Sequence, residues 1–123
     1  MTLYESPSDL PTKVEKQLTS LLLEGEEFVA GTDCNAGLRQ KYRDHLLLTT
    51  QRFIAVDPGW FDTDSQTYRL EDISAVEFEG AGMVGIPALT VYGAGEIEDE
   101  YKYHNQNDGQ QFTNTLRKQI ANI

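Results

Sequence analysis

The strongest pattern of apolar and polar positions lies between His45 and Asp57. Two β-prone runs, Leu46-Leu47-Leu48 and Phe53-Ile54-Ala55-Val56, flank the polar segment Thr49-Thr50-Gln51-Arg52. This is the layout of two short strands joined by a tight turn. Upstream the period changes: Val14, Leu18, Leu21 and Leu22 recur at helical spacing behind Thr12-Lys13-Val14-Glu15, which has the capping-box form. An amphipathic helix is predicted over about 12–23, with Gly25 placed to end it. Met1 to Leu10 read as a loose lead-in, because Pro7 and Pro11 prevent helix before Thr12.

From Glu26 onward, short extended segments are predicted at 27–32, 42–49, 52–57, 66–70, 74–79, 88–92 and 100–104. Their close spacing, with Gly, Asp and Asn between them, argues for antiparallel meanders rather than crossover units. Val76-Glu77-Phe78-Glu79 and Tyr101-Lys102-Tyr103-His104 alternate as a half-buried sheet requires, and Pro87 marks the start of the sixth strand. After the polar stretch 105–109, Asp108-Gly109-Gln110-Gln111 can serve as a second capping box. Phe112, Leu116, Ile120 and Ile123 then share one helical face, and Arg117 and Lys118 suit the helix's C-terminal dipole. The chain therefore reads as mainly β with flanking helices.

Length and composition narrow the function classes. At 123 residues the chain has the size of one globular unit, divided into a lead-in and helix over 1–25 and the β-rich domain over 26–123. Cys34, the sole cysteine, excludes an internal disulfide and suits a reducing compartment. Neither His45 nor His104 stands at a spacing that makes it a base for this thiol, which reads as inert. Met1-Thr2-Leu3-Tyr4-Glu5 has neither the basic start nor the apolar core of a signal peptide, so a cytoplasmic location is expected. The net charge of −10 opposes general attraction to nucleic acid or anionic lipid. Such acidity fits adaptation to concentrated salt, or a domain kept soluble by self-repulsion.

Three stretches resemble, in order, the signatures of the short prokaryotic pleckstrin-homology-like and GRAM-like domains. Leu22-Leu23-Glu24-Gly25-Glu26-Glu27 is similar to the leucine, glycine, glutamate lead into strand one. Leu46-Leu47-Leu48-Thr49-Thr50-Gln51-Arg52-Phe53-Ile54 is similar to a leucine, threonine, x, x, arginine hairpin, and Tyr68-Arg69-Leu70-Glu71-Asp72-Ile73-Ser74-Ala75-Val76 to the leucine, x, aspartate, isoleucine, x, x, valine corner before strand five. The resemblance covers about 22–123. It implies a pleckstrin-homology-like, seven-stranded antiparallel barrel of orthogonal sheets with a C-terminal amphipathic helix, to which the N-terminal helix is an addition. It also implies a non-enzymatic module without a cofactor, whose frequent partner is another protein or a copy of itself.

Candidate sites follow from these elements. Arg39, Lys41 and Arg43 alternate along the end of the first loop and the start of strand two, and could hold an anionic lipid or phosphate headgroup; a solvated or ion-paired strand face is the alternative. Trp60 and Phe61 follow a Pro-Gly turn and either anchor a partner or cover a barrel mouth. Gly80-Ala81-Gly82-Met83-Val84-Gly85 has the GxGxxG form, but β structure follows it where a dinucleotide site needs a helix. Glu96, Glu98, Asp99 and Glu100 read as a solvated loop guarding an edge strand, with no metal-binding spacing. Val14, Leu18, Leu21 and Leu22 are the expected self-assembly interface. The function these readings favour is a protein-interaction or self-assembly module. Lipid binding through the basic patch, and a small-ligand carrier or enzyme using the barrel interior, are the alternatives. Contact with nucleic acid, a metal or a cofactor is not expected.

Overall fold

The structure, a computed structural model, describes residues 3–34, 45–57, 64–80, 85–94, 96–103 and 106–123. In chain order the elements are β1 (Leu3–Tyr4), a 3-10 turn (Pro7–Asp9), α1 (Thr12–Leu21), β2 (Phe28–Asp33), β3 (His45–Thr49), β4 (Arg52–Asp57) and β5 (Asp64–Arg69). A second 3-10 turn (Leu70–Asp72), β6 (Ala75–Glu79), β7 (Ala88–Gly93), β8 (Glu96–Lys102) and α2 (Gln106–Ala121) complete the chain. The strands form two antiparallel sheets, a five-stranded one in the order β1-β2-β3-β4-β5 and a three-stranded one in the order β6-β7-β8. The expected hairpin pairs as β3 and β4, with Leu48 opposite Phe53 and His45 opposite Val56.

Five local expectations change. The lead-in contains a strand: Leu3 lies opposite Thr32 and Tyr4 opposite Gly31, a pairing two residues long and too short to leave a period in the sequence. Thr12 does not cap α1 but begins it, behind Pro11, and no side chain caps this end. The helix stops at Leu21, and Gly25, at φ 81°, sits in the turn that follows. Glu96, Asp99 and Glu100 belong to a strand rather than a loop, because β8 begins four residues before the expected start and its carboxylates mask the alternation. Asp108 is buried in the first turn of α2 instead of preceding it.

The five-stranded sheet is covered on both faces. On one side Leu46, Leu48, Phe53 and Ala55 meet Leu89, Val91 and Tyr101 of the smaller sheet and Phe112 and Leu116 of α2. On the other, Leu47, Ile54 and Val56 meet Leu10 and the α1 residues Val14 and Leu18. This double burial explains the uninterrupted apolar runs of β3 and β4, since a strand open to water on one face would alternate. It also changes the reading of the α1 stripe. Val14 and Leu18 are fully buried against the chain's own sheet, with Leu21 and Leu22 packed beside them, so the stripe closes this core rather than facing outward. Each such burial contributes roughly 1.5–3 kcal/mol.

α2 rests on the smaller sheet by direct backbone contact. A Cβ added at Gly109 would fall 2.5 Å from Cε1 of Phe78 and 3.0 Å from Cδ2 of Tyr103. Phe78 and Tyr103 themselves meet edge to face at 5.9 Å. Further along the helix, Phe112 reaches Phe53 at 6.1 Å, tying the helix to the larger sheet. No helix among the described residues is long and apolar enough to cross a membrane.

Candidate functional site

A buried ionic cluster organises one end of the five-stranded sheet. Where α1 stops, the turn through Gly25 brings Glu26 under the β3–β4 hairpin, and the Glu26 side chain is fully shielded from solvent. Its Oε2 accepts hydrogen bonds from Thr49 Oγ1 at 2.5 Å and Arg52 Nε at 2.8 Å. Its Oε1 accepts from Arg52 Nη2 at 2.6 Å and from the Leu23 amide at 3.0 Å. Arg52 Nη2 also donates to the Leu21 carbonyl at the end of α1. Thr49 Oγ1 in turn accepts from the amides of Gln51 and Arg52, closing the tight turn.

Burial alone would raise the Glu26 carboxyl. The hydrogen bonds from Arg52, Thr49 and the Leu23 amide, together with the Arg52 charge, outweigh it and lower the group from 4.5 to about 2. The cluster is therefore a charged clamp between helix, turn and hairpin. Both carboxylate oxygens are bonded twice over.

Beside the clamp lies an open groove of about 600 Å³. Gln51, Arg52, Thr67, Arg69 and Glu71 line it together with the apolar side chains of Leu23 and Ile123. Leu23 and Ile123 are 57% and 64% exposed, two of the four large apolar side chains left open to solvent among the described residues. Arg69 pairs with Glu71 at the surface. The smaller sheet differs in character: at its surface Tyr92 donates its hydroxyl to Glu77 at 3.1 Å, a bond that raises its phenol, with Glu79 and Glu100 close enough to add to the rise.

Of the residues singled out in the sequence, Arg39, Lys41, Arg43, Trp60 and Phe61 lie outside the described residues. Most of the GxGxxG stretch does as well. Among the described residues, no group of three or more His, Cys, Asp or Glu side chains is arranged to hold a metal ion. The sequence reading did not anticipate that Glu26 and Arg52 meet, although both stand in the quoted motifs, the first in the lead into the sheet and the second closing the hairpin. Spacing carries no hint of the pair, since 26 positions separate the two. The groove was equally unforeseen, because its lining comes from the segment after α1, the turn of the β3–β4 hairpin, the end of β5 with the 3-10 turn behind it, and Ile123.

No protein-family model matches the chain, and no curated protein matches it. Solved structures do. The Vps36 N-terminal pleckstrin-homology domain is similar over 83% of this chain and 84% of that one, with a TM-score of 0.66 and 21% identity. A DUF1696 family protein with a pleckstrin-homology domain from Shewanella loihica is similar over 98% and 96% of the two chains, with a TM-score of 0.60 and 18% identity. A pleckstrin-homology domain from Shewanella amazonensis is similar over 89% and 86%, with a TM-score of 0.63 and 20% identity. The likeness at these identities is one of architecture: two antiparallel sheets closed by a C-terminal helix, which is to say that the chain has the pleckstrin-homology fold.

Proposed function

We propose that the chain is a non-enzymatic binding module whose partner is another polypeptide, engaged at the groove beside the Glu26–Arg52 clamp. The observation that carries this reading is the pairing of two exposed apolar walls, Leu23 and Ile123, with an exposed guanidinium at Arg69. Apolar anchors rimmed by polar groups are the usual anatomy of a protein-binding patch. The pleckstrin-homology fold supports a binding role in general terms, and the rigid clamp beneath the groove keeps its walls in place without ordering on binding. A copy of the same chain is a partner of the same class, although the net charge of −10 opposes that association at low salt.

The test is a random peptide library panned against the intact chain and against a Leu23→Asp/Ile123→Asp variant, which alters exposed positions only. Peptides enriched on the intact chain and bound at least about tenfold more weakly by the variant support the reading. The reading fails if nothing is enriched over an unrelated acidic domain, or if the enriched peptides ignore the double substitution.

A further inference from the structure

Thr67 and Arg69, which line the groove, belong to β5, the edge strand of its sheet, and the free hydrogen-bonding groups of that edge specify what fits there. The Leu70 amide donates to the Gln51 carbonyl at 3.0 Å, in register with Arg52 opposite Arg69. Bonded and non-bonded pairs alternate along an antiparallel ladder. Tyr68 and Gln66, opposite Phe53 and Ala55, therefore turn their amides and carbonyls toward β4, while Arg69, Thr67 and Ser65 turn theirs away. β5 is last in its sheet, so these outward groups have no strand partner among the described residues.

Other edges are guarded. β8 carries Glu96, Asp99 and Glu100, β6 carries Glu77 and Glu79, and β1 is two residues long. Charges and short strands of this kind deter pairing with foreign strands. From Ser65 to Arg69, β5 has no carboxylate, no lysine and no proline.

The side chains around this edge define the partner's chemistry. Thr67 and Arg69 lie opposite Ile54 and Arg52, so they point to the face that α1 covers. Gln17 of α1 reaches Ser65 at 3.3 Å, but the helix ends at Leu21, and the groove opens over Thr67 and Arg69. A strand laid along β5 puts every second side chain into that groove. One meets the apolar walls Leu23 and Ile123. The next meets Arg69, whose bond to Glu71 is an exposed pair, 67% and 51% open, that a competing carboxylate can displace.

We propose that β5 captures an extended peptide as an added strand, selecting an apolar residue and a carboxylate two positions apart. This rests on the reading of the chain as a polypeptide-binding module, and adds to it the mode of capture and the chemistry of the peptide. Main-chain hydrogen bonds to Ser65, Thr67 and Arg69 hold the strand, and the groove reads its alternate side chains.

The probe is the blocked peptide Lys-Thr-Thr-Ile-Thr-Glu-Thr-Thr-Lys, titrated into the 15N-labelled intact chain with amide hydrogen exchange as the readout. Expected is roughly tenfold or greater slowing of exchange at the Thr67 and Arg69 amides, with Gln66 and Tyr68 unchanged because they are already bonded. N-methylation of the peptide should abolish binding at amides of one parity and spare the other. Thr67→Pro deletes an outward donor without touching the β4 ladder and should lose the peptide. If that variant does not fold, Arg69→Glu serves instead: it should reject this peptide and accept the version in which lysine replaces glutamate.

A peptide, from this probe or from the panned library, that binds the groove without slowing exchange at Thr67 and Arg69 overturns strand addition and leaves polypeptide binding intact. Equal binding of the probe and its lysine version by the intact chain overturns the proposed selectivity. Protection of the same amides at high protein concentration without any peptide assigns the edge to a second copy and overturns the proposal. If neither the probe nor any library peptide binds, both readings fall together.

Discussion

Replacing Glu26 with glutamine tests the clamp most directly, because the side chain keeps its size and loses only its charge. The carboxyl falls from 4.5 to about 2 in the folded chain. At about 1.4 kcal/mol per tenfold change in acidity, that lowering corresponds to about 3 kcal/mol of stability at neutral pH. A second route gives a similar figure, since removing one partner of a buried, hydrogen-bonded ion pair costs about 3–5 kcal/mol. Glu26→Gln should therefore lose about 3 kcal/mol at pH 7, measured by urea unfolding followed by circular dichroism, which is a large part of the roughly 5–15 kcal/mol typical of such domains.

The pH dependence supplies the sharper check. A carboxyl whose folded pKa is depressed contributes fully above its unfolded value, and the contribution disappears as pH falls through the folded one. The gap between parent and variant should thus be constant above about pH 5.5 and close between about pH 4.5 and 2. Other carboxylates titrate in the same range, but they do so in both proteins and cancel in the difference. A gap below about 1 kcal/mol at pH 7, or one that persists unchanged to pH 2, would refute the assignment of the stabilisation to this carboxylate.

Leu18→Ala should cost about 2–5 kcal/mol by opening the core under α1, with no change in oligomeric state by light scattering, because Leu18 is buried against Leu47, Ile54 and Val56 of its own chain. Gly109→Ala should destabilise by about 1–3 kcal/mol in urea, despite the better helix propensity of alanine, since the new methyl group would meet the Phe78 ring. Tyr103→Phe should be as stable as the parent or more so at pH 7, because it removes a buried hydroxyl with no partner among the described residues. Burial, with Cys34, Asp108 and Asp33 nearby, raises this phenol well above its ordinary value. Its share of stability is therefore present below the unfolded pKa of about 10 and lost above it, and Tyr103→Phe should decline less steeply in alkali, as followed by near-ultraviolet absorbance and unfolding.

The parts of the fold legible in the sequence are those in which one residue's neighbours along the chain report its surroundings. β4 coincides with its expected bounds, and β3 ends as expected, because three or four apolar residues in a row and a polar turn leave few alternatives. The α1 stripe was equally plain, but a stripe does not name the surface it covers, and only the fold shows it lying on the chain's own sheet. β8 was shortened because the strand carries Glu96, Asp99 and Glu100 along a solvent-facing edge, where polarity and loop character look alike. The candidate site was the least legible. Leu23, Arg69 and Ile123 come from distant segments, and a free sheet edge is a property of the pairing order rather than of any residue.

Covering β3 and β4 on both faces has a further consequence. In most antiparallel sheets a slip of one residue exposes apolar side chains and is rejected for that reason. Here a slip would exchange Leu47 with Leu46 or Leu48, and Ile54 with Phe53 or Ala55, moving apolar groups from one core to the other rather than into water. Hydrophobicity discriminates poorly among such frames. The Thr49–Glu26–Arg52 cluster does so, because only one frame sets Thr49 and Arg52 around the same carboxylate at the end of the hairpin. The clamp thus acts as a register pin, selecting one alignment among several that would be equally oily. Neutralising it should blur the fold as well as weaken it.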